Sequence, residues 1–526
     1  MLSKISLKFI NIFSSLKGFT VFLVLLIFSC KKEVSPKKSS SELFNTYCAT
    51  CHIAPNINDL PKEIWKNNIL PEMGARLGII ENGFDPHNGL DMKEYEARIR
   101  SGVYPDKNTP LISQEDWDLI KKHILTLAPD SLVFESDKTE NLKELTQFSP
   151  QLIRLANNKE NAMMITYVAH NNNLNELMLG TVYGELFKYS FNTSEIKIIA
   201  KTNSGVISYS KINNKEYVTE VGKLDPSELV LGKINLLEND SLYLFEDKLH
   251  RPVHCLAEDL NNDGNVEFLV SEFGNLTGQL SLLKKNPDND KMKKETLLGL
   301  PGVIRVISED MNGDNKKDLV VLVSQGDEGV FIFYQEDDLK FKMERVIRLS
   351  PLYGSSWFEL VDYNGDGHKD IIIANGDNAD YSAIDKPYHG IRIFINNGSN
   401  SFTQEYFHPV NGATRVVAND FDKDNDLDFA VIATFPDYEK YPEQAFVYLE
   451  NTNSQKYEFT PYTFSGATSG RWLLMESGDV DNDGDVDILL TPYPIVFPQT
   501  PKKSIRKWVD SKVDLMVLEN NLINNK

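Results

Sequence analysis

The stretch that decides the fold is Asp479-Val-Asp481-Asn-Asp483-Gly484-Asp485-Val-Asp487, followed at once by the apolar run Ile488 to Leu490. Oxygen-bearing side chains at every second position of a tight loop can converge on one hard cation. Gly484 lies where the backbone of such a loop must turn sharply. The pattern therefore predicts a calcium-binding loop.

The same nine-residue frame occurs four more times. Position six is Gly or Asn in every copy, and these two residues best tolerate a left-handed backbone. We expect the metal ligands at positions one, three, five, seven and nine. They are Asp259, Asn261, Asp263, Asn265 and Glu267; Asp310, Asn312, Asp314, Lys316 and Asp318; Asp362, Asn364, Asp366, His368 and Asp370; Asp420, Asp422, Asp424, Asp426 and Asp428; and Asp479, Asp481, Asp483, Asp485 and Asp487.

These loops differ from EF-hands, which place a bidentate Glu at position twelve and continue into a helix. Here the residue at position twelve is apolar in every loop, and it lies in a short apolar run that predicts a buried strand. These residues are Val270, Val321, Ile373, Val431 and Leu490. The ninth residue is therefore expected to be the last ligand. The alternative is that the loops are Asp-rich turns that hold no ion.

At 526 residues the chain is long enough for two or more domains. Its formal charge is −21, but 19 acids lie at the ligand positions, so bound divalent ions would offset much of this charge. Basic residues are not clustered enough to neutralise phosphates, which disfavours nucleic acid as a partner.

The amino terminus has the pattern of a secretory signal. Three lysines precede the apolar segment Phe19 to Phe28, which is too short to be a comfortable permanent anchor. The segment ends at Ser29-Cys30 and resembles the lipobox of bacterial lipoproteins. That resemblance implies cleavage before Cys30 and lipidation of this residue, so residues 1–29 would be a signal peptide and 30–40 a flexible tether. An uncleaved membrane helix is the alternative.

The sequence Cys48-Ala-Thr-Cys51-His52 is a C-x-x-C-H haem attachment motif. Two thiols three residues apart can meet the two vinyl groups of one haem, and the adjacent imidazole can reach the iron. A zinc site would need further Cys or His ligands at matching spacing, which are not offered. Cys255 lies in a predicted inner strand, and we expect it to be a small buried hydrophobe rather than a nucleophile.

A helix is predicted after Ser113, with Trp117, Ile120, Ile124 and Leu127 on one face. It resembles the terminal helix of class I cytochromes c, which implies a small all-α haem c domain over residues 41–132. That family carries Met-Pro shortly before this helix, whereas this chain has Thr109-Pro110. Met73 is the first candidate for the sixth iron ligand, Met92 is the second, and an open or His87-ligated iron is the third. Each methionine could equally fill the core.

The first ligands of the five loops recur every 51 to 59 residues, which is typical of one repeated supersecondary unit. Two strands follow each loop, and two earlier units, at 165–189 and 206–237, keep the strands without the acids. The loop-bearing units resemble FG-GAP (VCBS-type, integrin alpha-like) repeats. This resemblance implies a seven-bladed β-propeller over residues 140–526, with calcium between the first and second strands of a blade.

The connections from second to third strands should then lie on the face opposite the calcium loops. They are long in the fifth, sixth and seventh units and rich in aromatic residues, which suits recognition of a ligand or partner. Alternatively, these insertions only pack on one another. The residues are Tyr381, Tyr388, His389, Tyr438, Tyr441, Tyr493, Phe497 and Trp508.

The seventh unit lacks residues for an outer strand, so we expect the propeller to close with the segment from Leu142 to Phe148, paired beside Leu515 to Leu518.

The sequence favours an exported, lipid-anchored electron carrier with one covalent haem c and about five calcium ions. The expected partners are a redox protein, a small-molecule or glycan ligand on the propeller, and the membrane through the lipid. A cytochrome-linked dehydrogenase with a catalytic propeller is one alternative, so enzyme activity, if present, would be oxidoreductase activity. An adhesion or assembly lipoprotein is the other alternative. No hydrolytic motif is visible, and we expect no catalytic residues of that kind.

Overall fold

The computed structural model describes residues 38–81, 83–134, 142–155, 163–287, 289, 291–377, 382–494 and 500–523. The predicted signal peptide and Cys30 lie outside these residues. No helix within the described ranges is long and apolar enough to cross a membrane.

Residues 165–520, with one amino-terminal strand, form a seven-bladed β-propeller. Each blade contains four antiparallel strands, and the sixth blade has a fifth strand added in parallel at its outer edge. The second strand is fully buried in the blades that carry Asp-rich loops. The first strands contact one another in cyclic order. The first strand of the seventh blade, β27 Trp472–Gly478, contacts that of the first blade, β3 Ile165–Asn171, and completes the ring. The core therefore lies between neighbouring blades around a central channel.

The first four blades follow directly in the sequence. Their strands are β3 Ile165–Asn171, β4 Glu176–Thr181, β5 Glu185–Ser190 and β6 Ile196–Lys201; β7 Val206–Ile212, β8 Lys215–Glu220, β9 Gly232–Glu238 and β10 Ser241–Leu249; β11 Pro252–Glu258, β12 Glu267–Glu272, β13 Gln279–Lys285 and β14 Met292–Leu298; and β15 Val303–Glu309, β16 Asp318–Val323, β17 Gly329–Asp337 and β18 Lys340–Arg348.

The last three blades contain longer connections between their second and third strands. Short 3₁₀ turns at Pro442–Ala445, Ser454–Lys456 and Ala467–Ser469 and a helix, α6 Lys502–Ser511, lie among their strands. The strands are β19 Ser355–Val361, β20 Asp370–Asn375, β21 Gly390–Asn396 and β22 Phe402–Pro409; β23 Ala413–Asn419, β24 Asp428–Ala433, β25 Phe446–Asn453 and β26 Glu458–Thr463; and β27 Trp472–Gly478, β28 Asp487–Pro492 and β29 Leu515–Asn520.

The amino-terminal segment closes the ring, as predicted, but the closing strand is a different one. Strand β2, Phe148–Ile153, pairs antiparallel with β29 and is the outer strand of the seventh blade. The earlier strand β1, Lys143–Glu144, pairs in parallel with β26 of the sixth blade. Leu145 and Phe148 are buried in the core shared by these two blades, so the chain crosses from one blade to the other at this point. The predicted segment from Leu142 to Phe148 was therefore placed too early.

Residues 38–134 form a small helical region. Its helices are α1 Ser40–Tyr47, α2 Lys62–Ile64, α3 Leu70–Arg76, α4 Met92–Ser101 and α5 Gln114–Leu127, with a 3₁₀ turn at Ile57–Asp59 and a π turn at Trp65–Ile69 between α2 and α3.

Helix α5 begins where the sequence predicts, because the Ser113 hydroxyl accepts a hydrogen bond of 3.1 Å from the amide of Asp116. It packs against α1 and buries Trp117, Ile120 and Ile124. Leu127, expected on the same buried face, is exposed at the end of the helix. The helix ends at the next residue, Ala128, whose backbone is extended ahead of Pro129, so no further turn covers this side chain.

The helical region docks on the propeller. Leu352, in the connection between the fourth and fifth blades, belongs to the hydrophobic core of the helical region. The hydroxyl of Tyr388, in the fifth blade, donates a hydrogen bond of 3.0 Å to the carbonyl of Asp59. Both residues lie in connections on the face opposite the Asp-rich loops. The helical region and these loops are therefore on opposite faces of the ring.

Candidate metal centres

The C-x-x-C-H motif lies at the carboxyl end of helix α1. Cys48 is the residue that ends this helix and is partly buried against the helical core, whereas Cys51 is exposed. The Nδ1 of His52 lies 2.7 Å from the backbone carbonyl oxygen of Ile53, so Nδ1 carries the proton and donates it. In the neutral imidazole the other ring nitrogen, Nε2, then carries the lone pair that can bind a metal.

The three candidates for the sixth iron ligand have different surroundings. Met73 lies on helix α3 and packs against the same core as Cys48. Met92 is the first residue of α4 and is 70% exposed. The buried Nδ1 of His87 has no hydrogen-bond partner among the described residues, and the ring contacts Tyr95 and Tyr104 edge-on. Burial lowers the pKa of His87, so its imidazole is neutral and able to bind a metal at neutral pH.

The helical region also leaves apolar side chains in solvent. Five of them, between 43% and 70% exposed, are Ile80, Met92, Tyr95, Ile99 and Leu111.

All five Asp-rich loops connect a first strand to a second strand, as predicted. Their first aspartate accepts hydrogen bonds of 2.7 to 3.2 Å from the amides of positions five and six, which folds the loop around its own carboxylate. Position six has a positive φ in every loop, which explains its restriction to Gly or Asn. Position four also has a positive φ in every loop, although its residue type varies among Asn, Gly and Lys and so does not reveal this conformation in the sequence.

Position nine has a structural role that the sequence did not reveal. In four blades its aspartate accepts a hydrogen bond from the amide of position two and another, of 2.8 Å, from the third strand. These carboxylates are Asp318, Asp370, Asp428 and Asp487, all fully buried. Each one fastens its loop to its blade, and only its remaining lone pairs are available to a cation.

Burial raises the pKa of these buried acids. It raises the pKa of Asp428 and Asp487 to about 7, with neighbouring loop aspartates adding to the shift. Burial likewise raises the pKa of Glu267, the ninth residue of the first loop, to about 7. A bound cation would favour the charged form of all three.

The loops of the sixth and seventh blades are the best suited to hold a cation. In each, the carboxylate oxygens at positions one, three and five lie within 4.8 Å of one another. At position seven, the Oδ1 atoms of Asp426 and Asp485 are buried and have no hydrogen-bond partner among the described residues. Burial and repulsion from neighbouring loop carboxylates raise the pKa of both groups to about 6. These buried oxygens lack the partner that a metal ion would supply.

The other three loops contain fewer acids, and position seven is Asn265, Lys316 or His368. The Lys316 ammonium lies 3.8 Å from Asp314 and donates to the carbonyl of Glu336. In this loop the lysine therefore supplies part of the positive charge that the aspartates require, and its side chain cannot be a ligand while protonated.

The aromatic residues of the long connections pack against the protein. Trp508, on α6, contacts the ring of Tyr438 and donates a hydrogen bond of 3.1 Å to the carbonyl of Thr468. Tyr493 is buried, and Tyr388 contacts the helical region. Tyr381 and Phe497 lie outside the described residues. The described contacts agree with the interpretation that these insertions pack on one another.

Cys255 is buried in the first strand β11, as expected for a small hydrophobe. Burial raises the pKa of its thiol to about 12, which leaves it protonated and weakly nucleophilic.

A family model described as FG-GAP-like repeat matches residues 310–373, which extend from the loop of the fourth blade to strand β20 of the fifth. This segment is similar to an FG-GAP-like repeat. The match covers one of the four loop-to-loop periods, and the other loops reproduce its geometry.

A search of curated proteins finds no match. Among solved structures, the periplasmic gluconolactonase PpgL of Pseudomonas aeruginosa is similar, with 11% sequence identity and a TM-score of 0.38. The similarity covers 57% of this chain and 85% of that structure.

Proposed function

We propose that this protein is an exported, lipid-anchored electron carrier with one covalent haem c and a calcium-binding propeller that docks a redox partner or a ligand. The observation that carries the proposal is the state of His52, whose Nδ1 donates to the carbonyl of Ile53 and leaves Nε2 available. A histidine that binds iron needs this tautomer and a fixed ring orientation. The adjacent thiols of Cys48 and Cys51 supply the two attachment points.

In this proposal each of the four haem-site residues has a separate role. Cys48 and Cys51 hold the haem, His52 is the proximal ligand, and Met73 is the first candidate for the opposite side. A haem held in this way would supply reversible one-electron transfer between the two oxidation states of iron. The packing of Met73 beside the core that contains Cys48 supports its choice over the exposed Met92.

The propeller would bind calcium at the five loops, with the sixth and seventh blades binding most tightly. Support comes from the unpartnered buried oxygens of Asp426 and Asp485. Calcium would neutralise the crowded carboxylates and stiffen the face of the ring opposite the helical region.

An anaerobic spectrum tests the electron-carrier proposal. The purified full-length protein should give a pyridine haemochrome and should be reduced only when a reduced partner protein is added. A protein without covalent haem would refute the proposal.

A second candidate function is a cytochrome-linked dehydrogenase. It is favoured by the position of the helical region, which lies on the face of the long second-to-third connections, so a substrate bound there would be close to the haem. Direct reduction of the haem by a sugar or alcohol, together with a bound organic cofactor, would support this candidate over the carrier.

A further inference from the structure

A groove lies between the first and seventh blades, on the face of the Asp-rich loops. Its volume is about 340 Å³, which is within the range of small-molecule sites. The first blade contributes the turn between β5 and β6 and the end of the loop before β4. The seventh blade contributes β2, β29 and the start of its Asp-rich loop. The groove is therefore on the face opposite the helical region.

The wall formed by the first blade is held in place by Asn175. Its Nδ2 donates a hydrogen bond of 2.8 Å to the carbonyl of Val480 in the seventh blade, and lies 3.3 Å from the Oδ1 of Asn192. The amide of Phe191 donates a hydrogen bond of 3.2 Å to the carbonyl of Asn175. The ring of Phe191 contacts the ring of Tyr189 edge-on, with 5.2 Å between their centres. The wall is thus formed before any ligand binds, which lowers the cost of binding.

The charges in the groove have one sign. Among the described residues that line it, the charged side chains are Asp481, the third residue of the seventh-blade loop, and Glu519 on β29. Glu519 accepts a hydrogen bond from Gln151, and it forms no ion pair with a described residue. A groove whose charges are all negative favours a cationic ligand.

Tyr189 offers this ligand a polar group that is not otherwise used. The residue is 7% exposed and lines the groove, and its hydroxyl makes no hydrogen bond with another described residue. A hydroxyl that is largely removed from water needs a partner. Its oxygen can accept a hydrogen bond from an N–H group of a ligand.

The remaining walls indicate which kind of cation fits. Apolar side chains line the groove beside the two acids, and they are Ile153, Phe191, Val480 and Val517. A bare metal ion requires oxygen ligands on several sides, which the adjacent Asp-rich loop supplies better than the groove does. An ammonium group on a short alkyl chain matches acidic, aromatic and apolar side chains together.

We propose that this groove binds an alkylammonium ion, with the ammonium group at Glu519 and the Tyr189 hydroxyl and the alkyl chain against Phe191. Such an ion can be a free amine or the side chain of a lysine in a peptide, and the test separates the two. The proposal rests on neither haem nor calcium, so its failure and the failure of the proposed function are distinguishable results.

The test measures binding of butylammonium to the full-length protein by isothermal titration calorimetry, in buffer that contains calcium. Potassium ion carries the charge without the alkyl chain, and butanol carries the chain without the charge. Butylammonium should bind about tenfold more tightly than either. Nα-acetyllysinamide identifies the source of the ammonium: binding tighter than that of butylammonium indicates a lysine side chain, and weaker binding indicates a free amine.

Glu519→Gln removes the charge and keeps the shape, and it should weaken butylammonium binding about tenfold. Glu450→Gln is the matched control. Glu450 occupies in β25 the place that Glu519 occupies in β29, directly before an asparagine whose amide donates to the ninth residue of the loop. Its carboxylate accepts a hydrogen bond from Tyr462, and it does not line the groove. This variant should bind butylammonium as the wild type does.

A second variant covers the case in which Glu519→Gln does not fold. Tyr189→Phe removes only the hydroxyl and should weaken butylammonium binding several-fold. Three results would overturn the proposal: no binding of butylammonium to the wild type, equal affinity for potassium or butanol, or unchanged butylammonium binding in a folded variant of either residue.

Discussion

The carboxylate of Glu94, on helix α4, accepts a hydrogen bond of 2.6 Å from the hydroxyl of Ser227 in the second blade. It accepts another of 2.7 Å from the amide of Glu228, and the ammonium of Lys223 lies 3.7 Å away. Glu94 is 2% exposed, although it lies in a strongly polar helix. A buried charge with these partners fixes how the helical region sits on the ring.

Replacing Glu94 should loosen this docking. Glu94→Ala removes charge-assisted hydrogen bonds and leaves buried donors unpaired, which should cost about 2 kcal/mol. The expected result is faster hydrogen exchange in α4 and in the connection that contains Ser227. Glu96→Ala is the control, because Glu96 lies on the same helix and its side chain is 58% exposed beside Arg100. Equal exchange in the two variants would show that the contact does not hold the regions together.

Covalent haem should depend on both cysteines of the motif. Cys48→Ser combined with Cys51→Ser should abolish the pyridine haemochrome of the purified protein, because no thioether can then form. His52→Ala should retain an attached haem that lacks its proximal ligand. An unchanged haemochrome in the double variant would contradict the haem proposal.

Met73 can be tested separately from the attachment motif. If its sulfur binds the iron, Met73→Ala should erase the weak sulfur-to-iron band at the red edge of the oxidised spectrum. Met92→Ala is the matched control and should leave the band intact. The opposite pattern would assign the ligand to Met92, and absence of the band from the wild-type spectrum would direct attention to His87.

Calcium should stabilise the propeller. A chelator should lower the melting temperature of the ring while sparing the helical region, because crowded carboxylates repel one another without the ion. Asp485→Asn removes a buried ligand candidate and should weaken calcium binding about tenfold. Asp510→Asn, in an exposed position of α6, is the control. Melting that is indifferent to both chelator and calcium would show that the loops are only turns.

The metal-free protein should become less stable as the pH rises. Glu267, Asp428 and Asp487 have folded pKa values of about 7, above the values of about 4 expected in the unfolded chain. The folded state therefore binds more protons between these values, and stability falls as pH increases through this window. Urea unfolding with chelator should give a higher free energy at pH 5.5 than at pH 7.5.

Asp428→Asn combined with Asp487→Asn should flatten this dependence, because neutral amides replace two of the titrating groups. Stability that rises with pH in the presence of chelator would contradict the assignment of these groups as the cause.

Closure of the ring should depend on Phe148. Its side chain is 4% exposed and contacts the rings of Phe421 and Tyr448 between the sixth and seventh blades. Phe148→Ala should destabilise the whole propeller by about 3 to 5 kcal/mol. Leu152→Ala, on the same strand but 53% exposed, should have little effect. Similar melting temperatures for the two variants would refute a closing role for this strand.

The sequence was most informative where a structure depends on nearby residues. The five loops, the left-handed position six and the buried strands at position twelve all follow from spacings of at most twelve residues. Strand β28, for example, begins at the ninth residue of its loop and is buried throughout.

Relationships between distant residues could not be predicted in this way. Glu94 and Ser227 are 133 positions apart, and nothing in the local pattern of α4 marks Glu94 as buried. Arg305 and Arg415 likewise lie on different blades from Trp357, yet the guanidinium carbon of each is 3.8 Å from the centre of its ring. The closing strand was misplaced by a few residues, because Leu142 to Phe148 and Phe148–Ile153 have similar alternation and only the packing of Leu145 and Phe148 separates them.

The pairing of β2 with β29 also has a consequence for how the chain is made. Gln151 donates a side-chain hydrogen bond to Glu519 across this pair, and the two residues are 368 positions apart. The helical region and the first blades can therefore fold during synthesis, while one edge of β2 stays unpaired until β29 has been synthesised. A chain that ends before β29 would leave an open ring with an exposed sheet edge. Closure of the ring therefore requires β29, which follows every other described strand in the sequence.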